Sequence, residues 1–190
     1  MEQFDVIKWL VSKLENAGIN YFITGSIAST YHGIPRFTHD IDIVVTLKKN
    51  DIDSILNLFK NDGYISREGV GKAFQGTGMF NFIHDRTGMK IDFWLDRGEP
   101  FTKSCFARTQ KITISEGFMA VMASPEDVLL HKVYWNKLTP SERQIRDAQG
   151  IITIQGARLD IAYIKSWADS LDIRQEIEAL LATQEMPNRA

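Results

Sequence analysis

The sequence holds 190 residues, 44% hydrophobic and 24% charged, with 22 basic and 24 acidic side chains for a net charge of −2. This is the composition of a globular chain of one or two domains, and it excludes a polycation that grips nucleic acid by bulk charge alone. The lone cysteine, Cys105, excludes an intrachain disulfide framework and any multi-cysteine metal centre, and it suits a reducing cytoplasm.

Along the chain, Phe4, Ile7, Val11 and Leu14 fall at helical spacing and predict an amphipathic helix over 3–16, ended by Asn16 and Gly18. Tyr21 to Thr24 is a short β-prone run, halted by Gly25-Ser26. Ile27 to His32 reads as a helix that stops at Gly33 and Pro35. Asp40 to Leu47 reads as a strand, and Ile52, Ile55, Leu56 and Phe59 give a helix over 50–60. Tyr64-Ile65 reads as a short strand. The glycines of 69–78 predict a flexible loop, able to act as a lid, because neither cluster completes a phosphate-binding fingerprint. Met79 to His84 and Met89 to Asp96 form two strands around the turn Asp85-Arg86-Thr87-Gly88. Two further short strands are expected at 111–114 and 117–122.

From Ala123 the pattern turns helical. Ser124-Pro125-Glu126-Asp127 combines an N-cap, a proline at the first helical position and acidic residues in the first turn. Helices are expected to about Asn136 and over 140–154, 160–171 and 173–182. The expected fold class is α/β (α+β): a small mixed twisted sheet flanked by helices over 1–123, with a C-terminal helical subdomain over 124–190 packed on it. The longest apolar runs, such as Phe118 to Ala123, are too short to span a membrane. No basic region accompanies Glu2 and Asp5 at the start, so neither a secretory leader nor a membrane association is expected, and the expected location is cytoplasmic.

Three carboxylates carry the chemistry. Asp40 and Asp42 stand two apart on a predicted strand and share a face, while Ile41, Ile43 and Val45 point to the other. In Lys90-Ile91-Asp92-Phe93-Trp94, Asp92 shares its face with Lys90, Trp94 and Asp96. Aspartate is disfavoured in strands, and neighbouring carboxylates repel unless a proton or cation compensates. Mg²⁺ is the natural compensator, and two such ions held by shared carboxylates would clamp the oxygens of a phosphoryl transfer. Alone, Asp-Ile-Asp reads first as a half-buried strand with its carboxylates in water. Gly25-Ser26, at a strand end entering a helix, offers room, free N–H groups and a hydroxyl to a phosphate, although by itself it reads as a plain turn.

Together, Gly25-Ser26, a helix, Asp40-Ile41-Asp42-Ile43 and a later Asp92 resemble the signature of the polymerase-β-type nucleotidyltransferase superfamily. Ile23-Thr24-Gly25-Ser26-Ile27-Ala28, His32-Gly33-Ile34-Pro35-Arg36, Thr38 and Asp40-Ile41-Asp42 resemble the stand-alone AbiEii-type toxin nucleotidyltransferases more closely. Weaker C-terminal matches continue it: Ala123 to Asp127 with Lys132, Ser141 to Gln144 with Asp147 and Gly150, and Trp167, so that the resemblance spans about 18–182. It implies the nucleotidyltransferase fold and transfer of a nucleoside monophosphate from ATP or another NTP to an acceptor hydroxyl. It implies that Asp40, Asp42 and Asp92 ligate two Mg²⁺ (or Mn²⁺) ions, with Asp92 helping to deprotonate the acceptor. Gly25 and Ser26 would hold the triphosphate, and Lys132 would reach nucleotide phosphates. An antitoxin protein is the implied partner if the chain is a toxin.

Several residues carry two readings. Arg36 contacts phosphate or acceptor, or is a solvated loop arginine; Lys132 reaches phosphate or lies on a helix surface. Arg143 with Asp147 fits an i,i+4 ion pair, or has a role in the cleft. Trp94 stacks on a base or acceptor, or only packs. Trp9, Trp135 and Trp167 are expected in cores or helix interfaces, and His32, His39, His84 and His131 show no metal-ligand spacing. The acceptor stays open among RNA such as a tRNA end, a protein and a small molecule, and the near-neutral charge favours the last two. The other class of reading is a catalytically silent nucleotide-binding or protein-interaction module of the same fold.

Overall fold

A computed structural model describes residues 3–183; the outermost residues of the two predicted parts, 1–2 and 184–190, lie outside them. The described residues divide into two compact units, one of 3–27 with 38–122 and one of 28–37 with 123–183.

The first unit is built on a seven-stranded mixed sheet. Its strands are β1 (Tyr21–Thr24), β2 (Asp40–Val45), β3 (Gly63–Ile65), β4 (Met79–His84), β5 (Lys90–Leu95), β6 (Gln110–Ser115) and β7 (Phe118–Met122), in the order β3-β4-β5-β2-β1-β7-β6. β2 and β5 run parallel at its centre, as do β1 and β7; the other neighbours are antiparallel. Alternation sets the burial. Ile41, Ile43, Phe82, Ile91 and Phe93 are fully buried, whereas Asn81 and Ile83 on the opposite face of β4 are exposed.

Helix α1 (Gln3–Asn16) buries Val6, Ile7, Leu10, Val11 and Leu14. Phe4, expected on that stripe, is 54% exposed, because the buried stripe is centred on the 7-11-14 and 6-10 rows and the first turn overhangs it. Trp9 packs its ring against Phe59, from α3 (Ile52–Phe59), and against Phe82. The stretch expected to be a flexible loop is instead α4 (Arg67–Lys72) followed by a wide turn over Ala73–Thr77. Ser66 caps it by accepting a hydrogen bond from the Gly69 N–H at 3.1 Å, and Val70 and Ala73 are fully buried. Burial of those two side chains outweighs the entropic cost of the glycines. A further helix, α5 (Pro100–Ala107), buries Phe101 and Cys105; the buried thiol behaves as a small apolar group.

The second unit contains α6 (Pro125–Leu138), α7 (Glu142–Gln155), α8 (Ile161–Ser170) and α9 (Arg174–Ala182). It also takes in most of α2 (Gly25–His32) and the following connector. The Ser124 hydroxyl accepts from the Asp127 N–H at 3.2 Å and donates to the Asp127 carboxylate at 2.7 Å, so the predicted cap is present. α6 is buried over most of its first half, and Tyr163 of α8 donates to Asp127 at 2.6 Å. Where α2 ends against α7, a Cβ on Gly33 would stand 2.8 Å from the Ile151 nitrogen, so the close approach requires glycine. His32 places Nε2 2.8 Å from the Ala123 carbonyl, a structural role. Trp167 packs edge-on to Tyr163, but Trp135 is 38% exposed rather than enclosed. No helix among the described residues is long and apolar enough to cross a membrane.

Candidate functional site

The central strands bring the predicted carboxylates together. β2 and β5 pair in register, with Asp40 beside Lys90, Asp42 beside Asp92 and Val44 beside Trp94. Residues so paired share a face, and Ile41, Ile43, Ile91 and Phe93 fill the opposite, buried one. Thr24 stands opposite Asp42 in the β1–β2 ladder, so the chain leaves β1 directly beside that carboxylate.

Gly25 makes this turn possible. Its φ is +59°, and a Cβ built there would lie 2.1 Å from Asp42 Oδ2. Any side chain would strain the left-handed backbone and evict the carboxylate at once. Beyond it, the Ser26 N–H at the start of α2 points to Asp42 Oδ2 at 3.5 Å, where a carboxylate gains from the positive end of the helix. Trp94 Nε1 donates to Asp42 Oδ1 at 3.4 Å, a role for the indole that differs from base stacking. Gly25→Ala is therefore expected to cost about 1–2 kcal/mol in stability from backbone strain alone. It should also lower any Asp42-dependent activity far more than that cost implies. Thermal unfolding and activity of the same preparation check both.

Asp92 is the buried member of the set, with its side chain only 10% exposed. Lys90 donates from Nζ to Asp92 Oδ2 at 2.8 Å and stands 4.0 Å from Asp40 Oδ1. Asp92 Oδ1 is buried with no hydrogen-bond partner, and so is Thr24 Oγ1 on the same face. Burial pushes the Asp92 carboxyl above its ordinary range; Lys90 opposes this and the charges of Asp42 and Asp40 add to it. The Lys90 ammonium is held above its usual range, chiefly by its hydrogen bond to Asp92.

The donor set is one of hard oxygens, and a buried carboxylate oxygen without a partner suits an oxygen-preferring divalent cation. Asp40, Asp42 and Asp92 therefore fit the group that the resemblance implies. Among the described residues no three His, Cys, Asp or Glu side chains close into a ready-made cage, and Asp40 and Asp92 flank Lys90 instead.

Arg36 and Lys132 belong to the second unit and share one carboxylate. Arg36 grips Asp147 with two hydrogen bonds, Nε to Oδ1 at 2.7 Å and a terminal nitrogen to Oδ2 at 2.8 Å. Lys132 Nζ lies 2.8 Å from Oδ2, and the Ser29 hydroxyl donates to the same oxygen at 3.2 Å. Lys132 is 5% exposed, so it is not a surface lysine. Arg143 is exposed, and the i,i+4 pair expected for it gives way to this cluster: Asp147 faces inward, where a forked guanidinium, an ammonium and a hydroxyl all reach it. Burial alone would raise the Asp147 carboxyl, but the hydrogen bonds from Arg36 and Lys132 outweigh it and hold it at about 2.

The structure thus gathers Gly25, Ser26, Asp40, Asp42 and Asp92 in one unit and Arg36 with Lys132 in the other. Sequence reasoning gave no role to Lys90 or to the Trp94 N–H. The signal for Lys90 was its place two residues before Asp92 on one strand.

No protein-family model matches the chain, and no curated protein sequence matches it. Solved structures do. One is the antibiotic-resistance factor ANT(2'')-Ia, in a complex with adenylyl-2''-tobramycin: TM-score 0.62 at 13% identity, over 91% of this chain and 98% of that one. A second is an antigenic nucleotidyltransferase-like protein from Paracoccidioides brasiliensis, with TM-score 0.57 and 18% identity over 94% and 91% of the two chains. A third is the lincosamide antibiotic adenylyltransferase LnuA, bound to lincomycin, with TM-score 0.57 and 10% identity over 81% and 98%. With its mixed sheet and flanking helices, the chain has the nucleotidyltransferase fold.

Proposed function

We propose that the protein transfers a nucleoside monophosphate from an NTP to an acceptor hydroxyl, using the face shared by β2 and β5. The observation that supports this most is the in-register pairing of Asp42 with Asp92, next to the glycine turn that seats Asp42. Asp40, Asp42 and Asp92 would hold Mg²⁺. Bound there, the metal would neutralise the triphosphate and stabilise the attacking and leaving oxygens.

The chain's own groups do the rest. The start of α2 at Gly25-Ser26 would turn the positive end of that helix toward the phosphates. Asp92, on the same face as Asp42, would help to accept the proton of the attacking hydroxyl. The acceptor oxygen bonds to the α-phosphorus, the bond to the β-phosphate bridging oxygen breaks, and pyrophosphate leaves with its electron pair. Arg36 and Lys132, the candidate phosphate contacts, are both held by Asp147 in the second unit. Positioning and charge neutralisation carry the catalysis, as in phosphoryl transfer generally.

The net charge of −2 favours a small molecule or a protein over long RNA as acceptor. The antibiotic adenylyltransferases of like fold support a small hydroxyl compound. The AbiEii resemblance supports a toxin whose expression arrests growth until an antitoxin is supplied.

The test uses α-³²P-labelled ATP, GTP, CTP and UTP with Mg²⁺. Aminoglycosides, lincosamides, total RNA and a cell extract serve as separate acceptors, with Asp42→Ala protein alongside. Label transferred only by the native protein supports the proposal and identifies the acceptor class. No transfer, together with no Mg²⁺-dependent NTP binding, would leave a binding or interaction module.

A further inference from the structure

Three carboxylates on one face, one of them buried, need a cation even before any substrate arrives. The sheet supplies one from its own sequence. The parallel register places Lys90 beside Asp40 and two residues before Asp92, so its ammonium reaches both: 2.8 Å to Asp92 Oδ2 and 4.0 Å to Asp40 Oδ1. The side chain is 41% exposed, so it can swing into solvent without unpacking the core, whereas Asp92, 10% exposed, cannot leave.

We propose that Lys90 is a built-in, displaceable counter-ion: it holds the carboxylate face together before metal binds, and its ammonium must leave Asp92 for a divalent cation to bind there. This rests on the proposed function and deepens it. The ammonium and a metal ion cannot both lie against Asp92 without strong repulsion, because both charges are positive and only a few ångströms would separate them. Metal is therefore bound weakly by the protein alone. It is bound well together with nucleotide, whose phosphates give the displaced ammonium a new partner.

The test is Mn²⁺ binding in the absence of nucleotide, followed by electron paramagnetic resonance, for the native protein and for Lys90→Met, Lys90→Arg and Asp42→Asn. Lys90→Met keeps the stem and removes the charge, so it should bind Mn²⁺ about tenfold more tightly or better. Lys90→Arg, which keeps the charge, should stay near the native affinity. Metal-free Lys90→Met should unfold at a lower temperature than the native protein, and Mn²⁺ should remove the difference. If Lys90→Met does not fold, Lys90→Gln must show the same tightening. Equal Mn²⁺ affinity in the native and uncharged variants, lost in Asp42→Asn, would overturn this inference alone. Mn²⁺ bound by none of the proteins, or equally by Asp42→Asn, would overturn the metal face of the proposed function and this inference with it.

Discussion

Asp92→Asn is expected to abolish nucleotidyl transfer, by about a thousandfold or more, while leaving the fold intact. Asparagine has the size of aspartate, so the packing between Ile91 and Phe93 does not change. The substitution removes a charge from a buried site where one oxygen has no partner and where two more carboxylates stand close by. Burial already disfavours the charged form of Asp92, so its charge carries a stability cost in the absence of metal. The variant should therefore unfold at the native temperature or above it. Asp42→Asn should lose transfer equally. Steady-state transfer with matched thermal unfolding checks both, and an Asp92→Asn protein that is stable and active would contradict the assignment.

Asp147→Ala has the largest expected effect on stability, and it acts in the helical unit. One carboxylate there compensates Arg36 and the buried Lys132. Removing it leaves the buried Lys132 ammonium without its counter-charge, at a cost of about 3–5 kcal/mol. For a chain of this length that lowers the unfolding midpoint by roughly 10 °C. The same pair predicts the acid behaviour. The folded-state carboxyl is held at about 2, below its ordinary 3.8, so the unfolded chain takes up the proton first as pH falls. The resulting stabilisation, about 2–3 kcal/mol, is complete above pH 4 and is lost as pH falls toward 2. Denaturant titrations at pH 7, 4 and 2.5 should show the native protein losing this increment, while Asp147→Ala shows a shallower decline.

What the sequence made legible is what short-range periodicity encodes. Alternation in Asp40 to Val45 and Lys90 to Leu95 placed the strands and put their carboxylates on the face opposite the isoleucines, because a strand's period of two is local. Ser124-Pro125 announced α6 through a cap that needs only its own neighbours. The hairpin turn at 85–88 was readable for the same reason, and His84 completes it by pairing with Thr87 at 2.9 Å.

Partnerships across long separations were not legible. Asp147 reads locally as the partner of Arg143, yet it is held by Arg36, 111 positions away, and by Lys132. The glycines of 69–78 suggest a loop, and only the burial of Val70 and Ala73 makes part of the segment a helix. α5 over 100–107 left only a proline at its first position as a signal. Lys90 lies on the carboxylate face in any strand reading. That it touches Asp92 and also approaches Asp40 follows from the parallel register of β2 and β5, which depends on the whole sheet.

The most direct test of the central claim is calorimetry of a non-hydrolysable α,β-methylene NTP with native and Asp42→Asn protein, each with Mg²⁺ and with chelator. If the β2–β5 face is the nucleotide-metal site, the native protein binds the analogue only with Mg²⁺, and Asp42→Asn does not bind it in either condition. Binding that persists in chelator, or that Asp42→Asn leaves unchanged, would contradict the claim.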